Sequence, residues 1–326
     1  MPKNEELYRA VEINTFRNTT KDISFDVYLK LGEDNFAHVF SRTTGLDYKR
    51  LAQYIQKGVT ELFIKVEDEP VYKQFIANTA ELILTDPNTS LEKRIATLLN
   101  MTEQNMAELF SQVNVSEETA KNTEKVLKNY VQLMVESPKS LAIILKLVSH
   151  GDYLYYHSIA VAIFSIFLAR ATGQFNQHML EIIGMGGFLH DIGCTKIPKE
   201  TMSSASDLNA LQWKEMKAHP KLGLQMIENT PNIPDEVRYI VYQHHEEPGG
   251  NGYPNGIRTQ VIYYPAKIVG IVDSFSALIS KRPFRPAYTV EQAIHILQSE
   301  SNKYDRELVG LLSSIFLKQN STQKIA

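Results

Sequence analysis

The sequence predicts a mainly α protein, an all-helical domain preceded by a small mixed α/β domain. Three observations carry that reading. Apolar and polar residues alternate over Ile23–Leu31, the period of two of a half-buried strand. From Val71 onward the spacing changes to the i, i+3, i+4 pattern of helices. The chain has 326 residues, 43% hydrophobic and 22% charged, which suits about two globular domains and excludes disorder as its main state.

The first domain is read over 1–68. Ile23, Phe25, Val27, Leu29 and Leu31 alternate with Ser24, Asp26, Tyr28 and Lys30, so a strand there turns its apolar set to one side. Gly32 to Asn35 is a turn into a second strand, Phe36–Phe40. Asp47 caps a short helix that runs through Ile55 and stops at Gly58, and Thr60–Val66 is a further strand. Beyond it, Phe75, Leu82 and Ile83, then Leu91, Ile95, Leu98 and Leu99, have helical spacing, with Asp86–Ser90 as the break between two helices. Helices follow over Ser116–Val135 and Pro138–Ser149, the second with Pro at its first position, where no N–H is needed. Residues 69–138 are thus a helical connector and 139–326 a helical domain. Loops interrupt it at 194–208 and at 246–265, where Gly249, Gly250, Gly252, Pro254 and Gly256 exclude regular structure. Trp213 is expected in the core.

Thirty-four Lys and Arg against 37 Asp and Glu leave a formal charge of −3, so no global basic field attracts DNA, RNA or an anionic membrane. The apolar run Ile159–Leu168 is too short for a bilayer crossing, which needs about 20 residues, and reads as a buried helix. The single cysteine, Cys194, excludes an intramolecular disulfide and a cysteine-rich zinc site. With no apolar signal core in Met-Pro-Lys-Asn-Glu-Glu, the expected compartment is the cytoplasm.

Five of the nine histidines form a pattern that packing does not explain: His157, the doublet His190-Asp191, His219, and the doublet His244-His245, with Asp273 closing the set. His157 precedes the apolar Ile159–Phe164, His190-Asp191 follows Ile182–Leu189, and Asp273 follows Ile268–Val272. A charge on such a face is costly to bury unless it is paired or bound to a cation. Imidazole with carboxylate suits iron, manganese or zinc. The remaining His38, His150, His178 and His295 are read as core packing.

The series His157, His190-Asp191-Ile-Gly193, His219-Pro220-Lys-Leu-Gly223, His244-His245-Glu246 followed by Gly252-Tyr253-Pro254, and Asp273 resembles the HD-GYP branch of the HD metal-dependent phosphohydrolases. The resemblance spans roughly residues 139–318. It implies an all-helical HD-type metallohydrolase domain that hydrolyses a cyclic dinucleotide, cyclic di-GMP foremost, to linear pGpG. It further implies two divalent metal ions, iron first and manganese or zinc next, with Asp191 bridging them. His157, His190 and Asp273 would complete one site, His219, His244 and His245 the other, and a bridging water or hydroxide would be the nucleophile. Two cations lower the pKa of that water and offset charge in the in-line transition state. Members with a third metal carry an acid where this chain has Tyr153, so two metals are expected. Arg282 and Arg285 would contact nucleotide phosphates or guanine, and Gly252-Tyr253-Pro254 would offer a surface to GGDEF-type signalling proteins. Tyr253 is read either as a ligand-stacking or as a loop-packing ring.

The chain departs from the pattern at Cys194, where the family has Lys, at Gly249, where it has Asp, and at Ser276, where it has Asp. Lys196 stands two positions beyond the missing cation and is the candidate to replace it. These departures leave a second reading open, a metal- and nucleotide-binding member that acts as a signalling or interaction module without turnover.

Overall fold

The computed structural model describes residues 7–32, 35–137, 140–141, 153–202, 208–281, 285–300 and 302–323. The chain divides into two compact units at Thr97/Leu98, so the segment expected as a connector, 69–138, contributes to both.

In the first unit a four-stranded antiparallel sheet has the order β1-β4-β2-β3, built from β1 (Tyr8–Glu12), β2 (Val27–Gly32), β3 (Asn35–Phe40) and β4 (Glu61–Lys65). Alternation places Val27, Val39, Leu62 and Ile64 on one buried face. The strand expected from Ile23 begins only at Val27. Ile23 and Phe25 are nonetheless buried, as irregular chain tucked into the core, so their alternation reports burial and not ladder pairing. Helix α1 (Tyr48–Gln56) starts where expected, because Asp47 Oδ1 accepts from the Lys49 and Arg50 amides at 2.9 and 3.1 Å. Past its end, Gly58 takes a φ of 79°, open to glycine at little cost. Helix α2 (Glu69–Thr85) lays Tyr72 and Phe75 on Phe25, with ring centroids 5.6 and 5.4 Å away. The core of this unit therefore extends past residue 68.

Helix α3 (Leu91–Ser111) runs across the division. The second unit holds α4 (Glu117–Glu136), α5 (Tyr153–Thr172), α6 (Gln177–Leu189), a 3-10 turn over Ile192–Lys196, α7 (Lys199–Met202), α8 (Ala210–Met216), α9 (His219–Ile227), α10 (Asp235–Gln243), α11 (Tyr264–Ile279), α12 (Val290–Ser299) and α13 (Arg306–Gln323). The helix expected over Pro138–Ser149 lies almost wholly outside the described residues, as does His150. The loop expected at 194–208 contains the end of the 3-10 turn and α7. Phe164, Phe275 and Phe316 meet at 4.6–6.3 Å between ring centroids and tie α5, α11 and α13 together. Among the described residues no helix is long and apolar enough to cross a membrane.

Two expectations about packing are corrected. Trp213 is 49% exposed, because α8 is short and buries none of its residues. His38, His178 and His295 are exposed, each on the solvent side of its strand or helix, and His38 pairs with Asp26 at 3.3 Å.

Candidate metal centre

The polar residues of the second unit converge where helices end. His157 lies in the first turns of α5, His190 and Asp191 directly follow α6, His219 opens α9, His244 and His245 directly follow α10, and Asp273 sits within α11. Two glycines permit this crowding. A Cβ on Gly193 would stand 2.1 Å from the His219 carbonyl oxygen and 2.5 Å from the Gly223 amide, so only glycine lets the 3-10 turn meet the start of α9. A Cβ on Gly270 would stand 2.2 Å from the His244 carbonyl oxygen, so α11 reaches the end of α10 in the same way. His157, His190, His219 and His244 are each at most 4% exposed, Asp273 is 9% exposed, and Asp191 and His245 are the more open members.

Hydrogen bonding decides which ring nitrogens face inward. Nδ1–H of His190 donates to the Gly187 carbonyl at 2.7 Å, that of His219 to Met216 at 2.7 Å, and that of His244 to Val241 at 2.9 Å. A carbonyl can only accept, so the neutral form of each ring turns a bare Nε2 lone pair to the interior. Those lone pairs meet other acceptors. His219 Nε2 is 3.2 Å from His244 Nε2 and 3.3 Å from Asp191 Oδ1. Among the described residues His190 Nε2 has no hydrogen-bond partner, although it lies 3.2 Å from Asp191 Oδ2. On the far side His157 Nε2 is 3.0 Å from Asp273 Oδ1 and 3.9 Å from Asp191 Oδ2. The two oxygens of Asp191 thus face two imidazole groups, His157 and His190 on one side and His219, His244 and His245 on the other. In each set, one ligand atom per residue lies within 4.8 Å of the others.

Buried acceptors packed against acceptors require positive charge between them. The ionisation of the site says the same. Burial disfavours the His190 imidazolium, yet the adjoining Asp191 carboxylate outweighs it and raises the pKa to about 9. Burial also works against the Asp191 carboxylate, but His190, His219 and His157 hold it well below the usual carboxylate range. Burial and the neighbouring imidazoles push His244 and His245 well below the ordinary histidine value, and the Lys303 ammonium adds to the effect at His245. The donor set therefore fits divalent metal: neutral imidazoles of fixed tautomer around a carboxylate with an oxygen for each side.

The other expected residues fall differently. Tyr253 packs at a tilt on His245, with centroids 4.6 Å apart and planes at 31°, and the Lys217 ammonium lies 5.5 Å from its centroid. Lys196 is exposed at the end of the 3-10 turn, and among the described residues no hydrogen bond or ion pair joins it to the cluster. Arg285 donates to the Ala277 and Leu278 carbonyls at 2.8 and 3.1 Å, capping the end of α11, and its guanidinium lies over the Tyr288 ring. Arg282 lies outside the described residues. The Cys194 thiol is buried beside Asp191 Oδ1 at 3.6 Å, and burial followed by the Asp191 charge raises its pKa well above the ordinary value, so it stays protonated. Gly249 has a local reason: its amide donates to Asn302 O at 2.9 Å, and a Cβ there would also stand 2.9 Å from that oxygen. Ser276 is fully buried within α11.

The sequence assigns Glu246 no role of its own, but its buried carboxylate organises the following loop, accepting from the Asn255 amide at 2.7 Å and the Ile257 amide at 2.9 Å. Each charge-assisted bond contributes about 1.5–3 kcal/mol. Glu246→Gln is expected to speed amide hydrogen exchange at Asn255 and Ile257 at least tenfold while leaving the α5 amides unchanged, a result readable by exchange mass spectrometry.

A family model described as HD domain matches residues 169–308, a stretch that holds every residue of the cluster except His157. A cyclic di-GMP phosphodiesterase of Pseudomonas aeruginosa is 26% identical over 175 residues, which cover 54% of this chain and 42% of that protein. A cyclic di-GMP phosphodiesterase response regulator of Xanthomonas campestris is 32% identical over 139 residues, 42% of this chain and 37% of that protein. The chain thus matches less than half the length of these curated relatives. Among solved structures, Bd1817, an HDG"Y"P protein from Bdellovibrio bacteriovorus, is similar with a TM-score of 0.69 at 19% identity, over 95% of this chain and 99% of that one. That likeness concerns the fold.

Proposed function

We propose that the chain is an HD-GYP-type member of the HD-domain proteins and that it hydrolyses a phosphodiester bond of a cyclic dinucleotide, cyclic di-GMP first, yielding linear pGpG. The observation that carries this reading is the division of Asp191 between two groups of inward-facing imidazoles. His157, His190 and Asp273 with Asp191 Oδ2 would hold one divalent cation, and His219, His244 and His245 with Asp191 Oδ1 a second. Iron is the first choice and manganese or zinc the next, since imidazole with carboxylate suits these metals. Bound there, two cations would lower the pKa of a water and offset charge on the phosphoryl oxygens.

The chain's own residues supply orientation. The Gly187, Met216 and Val241 carbonyls fix three imidazole tautomers, Tyr253 holds the His245 ring from outside, and the Cys194 S–H donates to Asp191 Oδ1. A thiol supplies no positive charge at the position where the family carries Lys. The direct test is incubation of metal-loaded protein with cyclic di-GMP. Appearance of pGpG supports the reading, and no hydrolysis of any cyclic dinucleotide contradicts it.

Metal binding has a proton signature. The His190 pKa of about 9 lies above the ordinary 6.5, so at pH 7.5 the metal-free ring carries a proton that a metal must displace. Calorimetry in buffers of different ionisation enthalpy is expected to show about one proton released from His190 on metal binding at pH 7.5, falling toward zero as the pH rises through 9. Release that does not change over this range would contradict the assigned role of His190.

A further inference from the structure

Beside His245, at one edge of the cluster, lies a cavity of about 350 Å³, lined in part by His245, Tyr253, Trp213, Lys217, Lys267 and Lys303. Its volume falls in the lower part of the range of small-molecule pockets, roughly 300–1,000 Å³. Three lysines come to the cavity from separate parts of the second unit, and Glu246, Glu247 and Asp305 line it with them. Glu246 accepts from two loop amides, and Asp305 Oδ1 accepts from the Glu307 amide at 3.1 Å at the start of α13. Lys217 and Lys267 lie over the Tyr253 and Tyr264 rings. Lys303 pairs with Glu300 at 3.3 Å, with both side chains 43% exposed, and such a pair is weak enough for a phosphate to displace. Tyr253 has His245 against its ring, whereas Trp213 is half-exposed, with indole surface available for stacking.

We propose that this cavity is the substrate subsite, in which Lys303, supported by Lys217 and Lys267, holds the phosphodiester anion and Trp213 stacks on a base, so that Lys303 supplies the cation missing at Cys194. The proposal rests on the hydrolase reading above and assigns that site its specificity residues. Ammonium groups bind phosphate as point charges, and an indole face accepts any nucleobase. Neither role needs the position at 194 or Lys196.

Trp213 is the only tryptophan of the chain, so its fluorescence reports on the cavity directly. The manganese-loaded full chain is titrated with cyclic di-GMP, and turnover is followed in the same preparation. A saturable change in Trp213 emission is expected, with affinity about tenfold weaker in Lys303→Gln, restored to within about threefold in Lys303→Arg, and unchanged in Lys214→Gln, which removes a lysine outside the cavity. Metal content per chain should be equal in all four proteins. Wild-type affinity in Lys303→Gln overturns the proposal. So does pGpG formation with no change in Trp213 emission, while leaving the hydrolase reading intact. Binding that depends on Lys303 without turnover supports the subsite and removes the hydrolase reading. Neither binding nor turnover removes both.

Discussion

Asp191→Asn is expected to empty both halves of the centre at once. The substitution keeps the shape of the side chain but removes the one carboxylate that faces both imidazole groups, at 3.2 Å from His190 Nε2 and 3.3 Å from His219 Nε2. Metal content should fall from two ions per chain toward none, and hydrolysis should drop by on the order of 10³-fold or more. A second readout needs no metal. Asp191 is the main group raising the His190 pKa against burial, so in metal-free Asp191→Asn protein the His190 pKa should fall from about 9 to well below that value. Histidine titration by NMR reads this shift. Full metal occupancy in the variant, or an unmoved His190 titration, would contradict the bridging role.

Gly193→Ala should have the largest effect on folding. The new methyl group would collide with backbone on two sides, the His219 carbonyl oxygen at 2.1 Å and the Gly223 amide at 2.5 Å, and neither is a flexible side-chain end that could swing away. Overpacking of this kind costs about 3 kcal/mol or more, which for a unit of this size lowers Tm by roughly 6–12 °C. The same contact sets the approach of Asp191 to His219, so metal affinity should fall with stability. Gly310→Ala is the matched control: Gly310 lies on α13 with nothing within 4 Å of its would-be Cβ, so alanine there should stabilise by about 0.5–1 kcal/mol through helix propensity. Thermal unfolding of the two variants side by side measures the contrast. A Gly193→Ala protein as stable as wild type would mean that the 3-10 turn and α9 do not meet this closely.

The convergence of the candidate metal ligands was legible in the sequence because its chemistry is local. Each histidine or aspartate sits beside an apolar helical run, and an ionisable group on such a face needs a partner. What the residues could not reveal was their tautomers, since the fixing bonds go to backbone carbonyls three residues back. The helices were legible where capping and periodicity agree, as at Asp47, whose side chain accepts the expected amides. Strand β1 was not, because an edge strand with Val11 as its one buried residue has no alternation to read. The opposite failure occurred at Ile23–Asp26, where alternation reflects burial without pairing. The cavity was invisible for a different reason. Lys217, Lys267 and Lys303 stand in three unrelated segments, each an ordinary surface lysine in its own context, and only tertiary structure brings them to one cavity. Lys196 was the natural replacement for a cation at 194 when distance is counted along the chain, whereas Lys303 is a candidate because it lines the cavity beside His245.

Elemental analysis of the wild-type chain grown in iron- or manganese-rich medium, with turnover of cyclic di-GMP measured on the same preparation, tests the central claim most directly. Two metal ions per chain together with pGpG formation are predicted. A metal-free chain under those conditions, with the lone pairs of His190, His219 and His244 met by protons alone, would contradict it.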